Sequence, residues 1–170
     1  MKIHIVTTGG TIEKVYSESS GQVENVAQKI DRYLQSLRLP GVQVAITPLL
    51  NKDSLLMTDA DRDLIFAVVQ AKLVDGPVIV THGTDTMVET GRLLKQKLTT
   101  PTHPVILTGA MSPLGFEHSD GLQNLTESLL ATRILGPGVW IVIHNEVHDV
   151  DRVRKDRPNA RFVPLTADAD

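Results

Sequence analysis

Two runs rich in threonine and glycine, the second of which also contains an aspartate, each follow a short stretch rich in valine and isoleucine. The first run, Thr7–Ile12, follows Lys2–Val6, and the second, Thr81–Thr86, follows Val78–Val80. Each run places a threonine hydroxyl beside glycine, where backbone N–H groups can approach a ligand closely. In a parallel sheet, ligands bind at the carboxyl ends of the strands. The two runs therefore indicate nucleophilic chemistry on a small polar molecule.

Each run also has a purely structural explanation. Gly9-Gly10-Thr11 is consistent with a tight turn from a strand into a helix that begins with a capping threonine. Either Thr84 or Asp85 could cap the helix that carries Met87, and a helix amino terminus supplies N–H donors in both cases. We expect His82 to be packed or hydrogen-bonded and not a ligand.

Phosphate and metal sites have little support in the sequence. It contains no Gly-x-Gly-x-x-Gly fingerprint and no Walker-type Gly-Lys-Ser/Thr. His144 and His148 are four residues apart, but they lie in an irregular segment without a clear acidic third ligand. The chain has no cysteine, which excludes disulfides and thiol catalysis. We therefore expect neither a metal nor a cofactor.

The composition is that of a soluble globular domain. The chain has 170 residues, 41% hydrophobic and 22% charged, with a formal net charge of −3. Acidic and basic residues are interspersed, so nucleic acid is not an expected partner. No apolar run approaches the ~20 residues that span a bilayer, and the amino terminus does not resemble a signal peptide. The expected location is cytoplasmic, away from the membrane.

The secondary-structure pattern predicts an α/β fold. Candidate strands are mostly continuous in apolar character, as expected for strands buried on both faces, and they are Lys2–Thr7, Val42–Ile46, Val78–Thr81, Val105–Thr108 and Val139–Ile143. Between them, apolar residues recur at helical spacing, beginning at Val26, Leu64, Met87 and Leu122. Thr58 followed by Asp61 is typical of a helix start. This alternation predicts a doubly wound, mostly parallel sheet flanked by helices.

Further segments and single residues bear on organisation and chemistry. Residues 1–163 are predicted to form one α/β domain, and residues 164–170 a carboxyl-terminal tail. The polar segment Glu13–Gln22, which includes Tyr16, would suit a mobile loop that closes over a site. Asp120 is predicted to be a plain helix cap. Lys155 lies in a charged run, where a lysine is usually solvated.

The two runs together resemble the bacterial-type L-asparaginase/glutaminase family. Thr8–Ile12 and Thr81–Thr90 match the two signatures of that family in the right order and at about the right separation. The similarity continues through Gly109–Met111, Ser119–Gly121 and Val147–Lys155, and so covers essentially the whole chain. The resemblance implies the fold of the family's amino-terminal domain.

The resemblance also implies the roles of individual residues. Thr11 matches the primary nucleophile on a mobile lid, and Tyr16 the lid tyrosine that orients it. Thr84, Asp85 and Lys155 match a second catalytic group, in which the lysine is held beside the threonine hydroxyl. A desolvated lysine can act as the base that such a hydroxyl needs.

The same comparison implies how a substrate would be held. Asp85 would also receive the α-amino group of the substrate, and Asp53-Ser54 matches the segment that holds its α-carboxylate. Backbone N–H groups near the two threonines could hold a developing oxyanion. The predicted substrate-binding residues are Gly10, Asp53, Ser54, Gly83, Thr84 and Asp85.

The chain departs from the family pattern in two respects. Usual members are roughly twice as long, and their second domain gives a neighbouring subunit an acidic residue that contacts the substrate's amino group. Leu56 stands where the family has an aspartate. All five expected catalytic residues are nevertheless encoded, which favours a short, single-domain form of the enzyme.

The resemblance implies hydrolysis of L-asparagine to L-aspartate and ammonia, with glutamine as a weaker substrate. The implied route is a threonine acyl-enzyme without a cofactor, in a homo-oligomer. Two alternatives stay open. One is an asparaginase-like module of an amidotransferase, and the other is a non-catalytic amino-acid binding domain.

Overall fold

A six-stranded sheet forms the centre of the molecule. The structure is a computed structural model that describes residues 1–17, 22–25 and 29–165. The strands are β1 (Lys2–Gly9), β2 (Lys14–Ser17), β3 (Gln22–Asn25), β4 (Gln43–Lys52), β5 (Val78–Thr81), β6 (Pro104–Thr108), β7 (Gly138–Ile143), β8 (Glu146–Asp149), β9 (Val153–Asp156) and β10 (Arg161–Pro164). The central sheet has the order β4-β1-β5-β6-β7-β8, parallel except for β8. The strands β2–β3 and β9–β10 form two separate antiparallel pairs.

Helices cover both faces of this sheet. They are α1 (Lys29–Gln35), α2 (Asp59–Leu73), α3 (Met87–Lys97) and α4 (Gly121–Ile134). Alternate strand residues face opposite layers, as the two-residue period of a strand requires. Val78 and Val80 pack with α2 and α3, whereas Ile79 packs with α1 and α4. The predicted doubly wound α/β fold is therefore confirmed.

The order of the strands decides where a site can form. After β1 the chain passes to α1 on one face and enters β4, while after β5 it enters α3 on the other face. Because β1 and β5 are neighbours, their outgoing connections separate and leave a crevice at the carboxyl ends. The two threonine-glycine runs lie at this crevice.

The predicted boundaries hold in the core and differ at the edges. Strand β5 and the start of α3 agree with the prediction, and Thr58 and Asp61 form the expected capping box of α2. Strand β4 continues to Lys52 through Pro48, because it is an edge strand whose outer side needs no donor. Val26, predicted to begin the first helix, lies outside the described residues.

The expected loop over Glu13–Gln22 is wrong for the part that the structure describes. Lys14–Ser17 forms β2, which pairs antiparallel with β3 from Gln22 onwards. At the other end of the chain, β10 includes Pro164, and the Leu165 N–H donates to Arg152 O. The tail over 164–170 stays a prediction, and its last five residues lie outside the described residues. Within the described chain, no helix is long and apolar enough to cross a membrane.

Candidate active site

The two threonine-glycine runs touch through their glycines. Gly10 has a φ of 79°, and a Cβ placed on it would lie 2.5 Å from Gly83 N. A Cβ on Gly83 would in turn lie 2.6 Å from Ser54 Oγ. Only glycine permits these approaches, so the loops after β1, β4 and β5 meet at one point. The sequence predicted substrate contacts at all three residues, and the structure brings them together.

A buried carboxylate holds the turn that presents Thr11. Thr11–Glu13 forms a single turn of 3-10 helix, and Glu13 Oε2 accepts a hydrogen bond from the Gly9 N–H at 2.8 Å. Glu13 is 2% exposed, and this burial raises the pKa of its carboxyl group to about 7. The Gly10 N–H donates to Lys52 O, so the turn is also tied to the end of β4.

The second group of predicted catalytic residues is assembled by direct contacts. Lys155 Nζ lies 2.6 Å from Thr84 Oγ1 and 3.0 Å from Asp85 Oδ1. The Lys155 side chain is only 14% exposed, so it is not the solvated lysine that its charged neighbours suggest. Neither Thr84 nor Asp85 caps α3, because the residue at the cap position is Thr86, whose hydroxyl donates to Ser54 O.

Lys155 reaches the site because the β9–β10 hairpin packs onto the domain. Lys155 pairs with Phe162, and the Phe162 side chain is buried in the same apolar core as Val153. Lys155 is two residues from Val153 and so lies on the face of the hairpin that packs onto the domain, where its amine reaches Thr84. The hairpin also brings Arg157 Nε to 3.3 Å from Asp85 Oδ1, so that oxygen has two cationic neighbours.

His82 is a structural support of the turn at Gly83, as predicted. Its Nδ1 lies 2.8 Å from Gly83 O, and its Nε2 lies 2.8 Å from Thr90 Oγ1. Burial lowers the pKa of His82 to about 4, so the ring is neutral at physiological pH. A neutral ring has one N–H, which must be on Nδ1 because a carbonyl oxygen only accepts. Nε2 then accepts from the Thr90 hydroxyl.

Asp120 is not the plain helix cap that was predicted. It occupies the cap position of α4, but its side chain makes no capping bond to that helix. Its carboxylate instead accepts from the N–H groups of Met111 and Ser112 and lies 2.8 Å from His144 Nε2. Met111 Sδ is 3.6 Å from Thr84 Oγ1, so this network adjoins the predicted second catalytic group.

Asp53 and Ser54 differ in what they offer to a ligand. Asp53 caps a short 3-10 helix by accepting from the Leu55 N–H, and its other oxygen lies 3.2 Å from Lys14 Nζ. The Leu55 N–H is the largest cause that lowers the pKa of Asp53. Ser54 Oγ is buried and has no hydrogen-bond partner among the described residues. Ser54 is thus the better placed of the two to bind a carboxylate.

The remaining predicted residues, Thr11 and Tyr16, have few contacts. The Thr11 side chain is partly exposed and makes no hydrogen bond to the described residues. Tyr16 lies on β2 and is 56% exposed, again without a hydrogen bond to the described part of the chain. No hydrogen bond joins the Tyr16 and Thr11 side chains, and the two roles stay predictions. The described residues include no cluster of three or more side chains suited to a metal ion.

Sequence reasoning did not identify Glu13, Arg157 or His144 as parts of this site. Glu13 is two residues beyond Thr11, and a carboxylate there could have been recognised as a partner for the N–H groups of a glycine turn. The position of Arg157 depends on the β9–β10 hairpin, which was not predicted. His144 has a φ of 53°, in a tight turn between β7 and β8.

Comparison with known proteins places this arrangement in context. The family model of the asparaginase amino-terminal domain matches residues 2–162. An L-asparaginase of Thermococcus kodakarensis is 31% identical over 156 residues, covering 91% of this chain and 48% of the relative. The solved structure of the thermostable L-asparaginase from that organism matches with a TM-score of 0.88 at 30% identity. The match covers 96% of this chain and 51% of the chain in that structure.

Two further relatives have different names. A glutaminase-asparaginase of Acinetobacter glutaminasificans is 28% identical and covers 89% of this chain and 48% of the relative. A component of the glutamyl-tRNA(Gln) amidotransferase of Thermoplasma acidophilum is 32% identical and covers 75% of this chain and 32% of the relative. The chain thus spans about half or less of the length of these curated relatives.

Proposed function

Because the chain belongs to the asparaginase family through its amino-terminal domain, we propose that it hydrolyses the side-chain amide of L-asparagine, releasing ammonia. The observation that carries this proposal is the 2.6 Å contact between Lys155 Nζ and Thr84 Oγ1, at the edge where the Thr11 turn meets Gly83. A threonine hydroxyl is a poor nucleophile without a nearby base, and this contact supplies an amine within proton-transfer distance.

The proposed route forms and breaks one ester. The Thr11 hydroxyl attacks the amide carbon, its proton passes to the departing nitrogen, and ammonia leaves an acyl-threonine. Water then attacks the ester, Lys155 takes its proton through the Thr84 hydroxyl, and that proton is returned to the Thr11 oxygen as L-aspartate is released. Backbone N–H groups near Thr11 and Thr84 are the proposed donors to the oxyanion in both steps.

The substrate would be held between the loops that follow β1, β4 and β5. The buried Ser54 hydroxyl is the proposed donor to the α-carboxylate, because it has no partner in the described structure. Asp85 is the proposed acceptor for the α-ammonium group, and its side chain is 32% exposed at the crevice. Glutamine, one methylene longer, is proposed as the weaker substrate. The homo-oligomer and the cytoplasmic location stay predictions.

Ammonia release from purified protein tests this function directly. A coupled assay is run with asparagine and with glutamine on the parent chain, Lys155→Met and Lys95→Met. Loss of the Lys155 amine should lower kcat by ~10²-fold or more, the range of lost acid–base catalysis. Lys95 forms ion pairs with Asp149 and Asp151 at the surface, so its variant should match the parent. Equal rates for both variants, or no ammonia from either amide with the parent, would contradict the proposal.

A second candidate function is supply of ammonia within an amidotransferase. The match to the glutamyl-tRNA(Gln) amidotransferase component favours it, although that relative is covered only to 32%. In that case, the purified chain should release little ammonia alone and gain activity with a co-purifying partner enzyme. Full activity of the isolated chain on asparagine would decide for the first function.

A further inference from the structure

Arg157 contacts the carboxylate of Asp85, which is the proposed acceptor for the α-ammonium group of the substrate. Its Nε lies 3.3 Å from Asp85 Oδ1, the same oxygen that Lys155 approaches at 3.0 Å. The two cations are held differently. Lys155 is 14% exposed and is also bonded to Thr84, whereas the Arg157 side chain is 62% exposed and has a single partner among the described residues. Arg157 thus lies at the exposed edge of the site, outside the buried cluster that Lys155 forms with Thr84.

The surroundings of Asp85 are electropositive on the side of this arginine. An open cavity of about 410 Å³ lies there, and its charged lining residues are Asp85, Glu89, Arg92, Arg154, Lys155 and Arg157. Glu89 is already paired with Arg62 at 3.1 Å. The Arg92 guanidinium donates to the carbonyl oxygens of Val150 and Val153 and keeps its charge. Asp85 is therefore the acidic lining residue that the lining cations contact, through Lys155 and Arg157.

This arrangement disfavours a further cation at Asp85. A free α-ammonium group would have to share a carboxylate that two side chains already neutralise, at distances where like charges repel in a partly desolvated site. A substrate without that ammonium loses nothing at this position. Its carboxylate end would instead gain from the positive potential along the crevice.

We propose that Arg157 is a specificity-determining residue that lowers the affinity of the site for a free α-ammonium group. The substrate class that follows is the monoamides of dicarboxylic acids in which the α-position is neutral, with asparagine as a high-KM substrate. This inference rests on the proposed amide hydrolysis, and it concerns the choice among amides and not the chemistry. The hydrolytic steps at the amide are unchanged.

The test compares two amides of equal chain length on three surface variants. Succinamic acid has the amide and carboxylate of asparagine but lacks the α-ammonium. Both compounds are measured with the parent chain, Arg157→Gln, Arg157→Lys and Arg154→Gln. Arg154 lines the same cavity and carries the same charge, but forms no ion pair within the described structure, so it is the matched control. Both positions are exposed, and the variants should fold as the parent does.

Removing the Arg157 charge should lower KM for asparagine by about 2- to 5-fold, the range of a single exposed charge–charge interaction, and leave kcat within about twofold. The same variant should leave KM for succinamic acid unchanged or raise it. Arg157→Lys should resemble the parent, and Arg154→Gln should shift both amides equally. If Arg157→Gln acted like Arg154→Gln, or raised KM for asparagine, the inference would be wrong.

Binding separates this inference from the proposed function. Dissociation constants for both amides are measured by calorimetry on the same four proteins. If no variant released ammonia, the hydrolytic function would be wrong, and the ratio of the two dissociation constants would still decide the role of Arg157. A ratio that Arg157→Gln does not change, or an absence of binding for both amides, would overturn the inference.

Discussion

The two sides of the crevice are built in different ways. On the β5 side, Thr84, Asp85 and Lys155 are joined by side-chain contacts of 2.6 and 3.0 Å. On the β1 side, the Thr11 side chain has no hydrogen bond in the described chain, and its turn is held through backbone contacts and Glu13. The β5 side is preorganised before any ligand arrives, and the β1 side leaves the hydroxyl of its proposed nucleophile without a hydrogen bond to the described part of the chain.

This difference suits a two-step reaction. A group that manages protons must be held at fixed distances, because a displacement of about 1 Å can reduce a rate by 10²-fold. A nucleophile must instead approach the substrate and then carry it as an ester. Fixed contacts on the Thr11 hydroxyl would have to be broken at each of these steps. The asymmetry is therefore a physical expectation for a hydroxyl nucleophile beside a fixed base.

The largest effects should come from removing either hydroxyl, and they should separate the two sides. Thr11→Val and Thr84→Val should each lower kcat by ~10²-fold or more. Their stabilities should differ, because only Thr84 has side-chain partners within the described chain. We expect a loss of about 1–3 kcal/mol for Thr84→Val and a change within about 0.5 kcal/mol for Thr11→Val. Kinetics and urea unfolding of the same samples check both, and equal stability losses would remove the asymmetry.

The fold was largely predictable because its core strands are continuous apolar runs. Val78–Thr81 is buried on both faces and allows no other assignment. The capping box of α2 was equally local, since Thr58 and Asp61 are three residues apart. The position of Thr84 near the end of β5 followed from the same pattern, whereas its grouping with Lys155 came only from the family resemblance.

The hairpins were not predictable in this way. Strand β9 contains Arg154, Lys155 and Asp156, which have no apolar alternation, and it forms because Val153 and Phe162 bury in the core. Tertiary packing overrides local propensity in such short strands. The contact of Arg157 with Asp85 depends on that packing, and so it could not be inferred from the sequence.

The close approach of the two sides can be broken at Gly10. Gly10 and Gly41 have similar φ values, 79° and 73°, but a Cβ on Gly41 would meet nothing within 4 Å. Gly41→Ala should therefore lower the free energy of unfolding only through backbone strain, by about 1–2 kcal/mol. Gly10→Ala should lower the free energy of unfolding by about 1–3 kcal/mol more, because its Cβ would lie 2.5 Å from Gly83 N. It should also lower kcat, as the turn moves away from Gly83.

The loss of stability is measured by urea unfolding midpoints, and the loss of kcat is measured by ammonia release. The Gly41 variant controls for a methyl group added at a positive φ, while the ψ of −177° at Gly10 adds backbone strain of its own. If the two alanine variants had the same midpoint and the same kcat, the Gly10–Gly83 contact would not be what joins the two sides.

The smallest effect concerns the pH dependence of the β1 side. Burial raises the pKa of Glu13 from 4.5 to about 7 in the folded state. Between these values the unfolded chain has released the proton while the native chain retains it, so stability should fall as pH rises from about 4.5 to about 7. The loss is on the order of 3 kcal/mol at most, since one pKa unit corresponds to about 1.4 kcal/mol.

Glu13→Gln keeps an oxygen that can accept from the Gly9 N–H but cannot ionise. Its unfolding free energy should be close to that of the parent at about pH 4.5 and exceed it at about pH 8, so the difference between the two proteins should grow across that window. Glu117→Gln is the matched control, because the Glu117 side chain is 90% exposed and its substitution removes a charge without relieving burial. Parallel pH profiles for the parent and Glu13→Gln would show that Glu13 ionises freely in the fold. The turn that presents Thr11 would then be held without the contribution of a protonated carboxyl group, and the contrast between the two sides of the crevice would rest on their hydroxyl contacts alone.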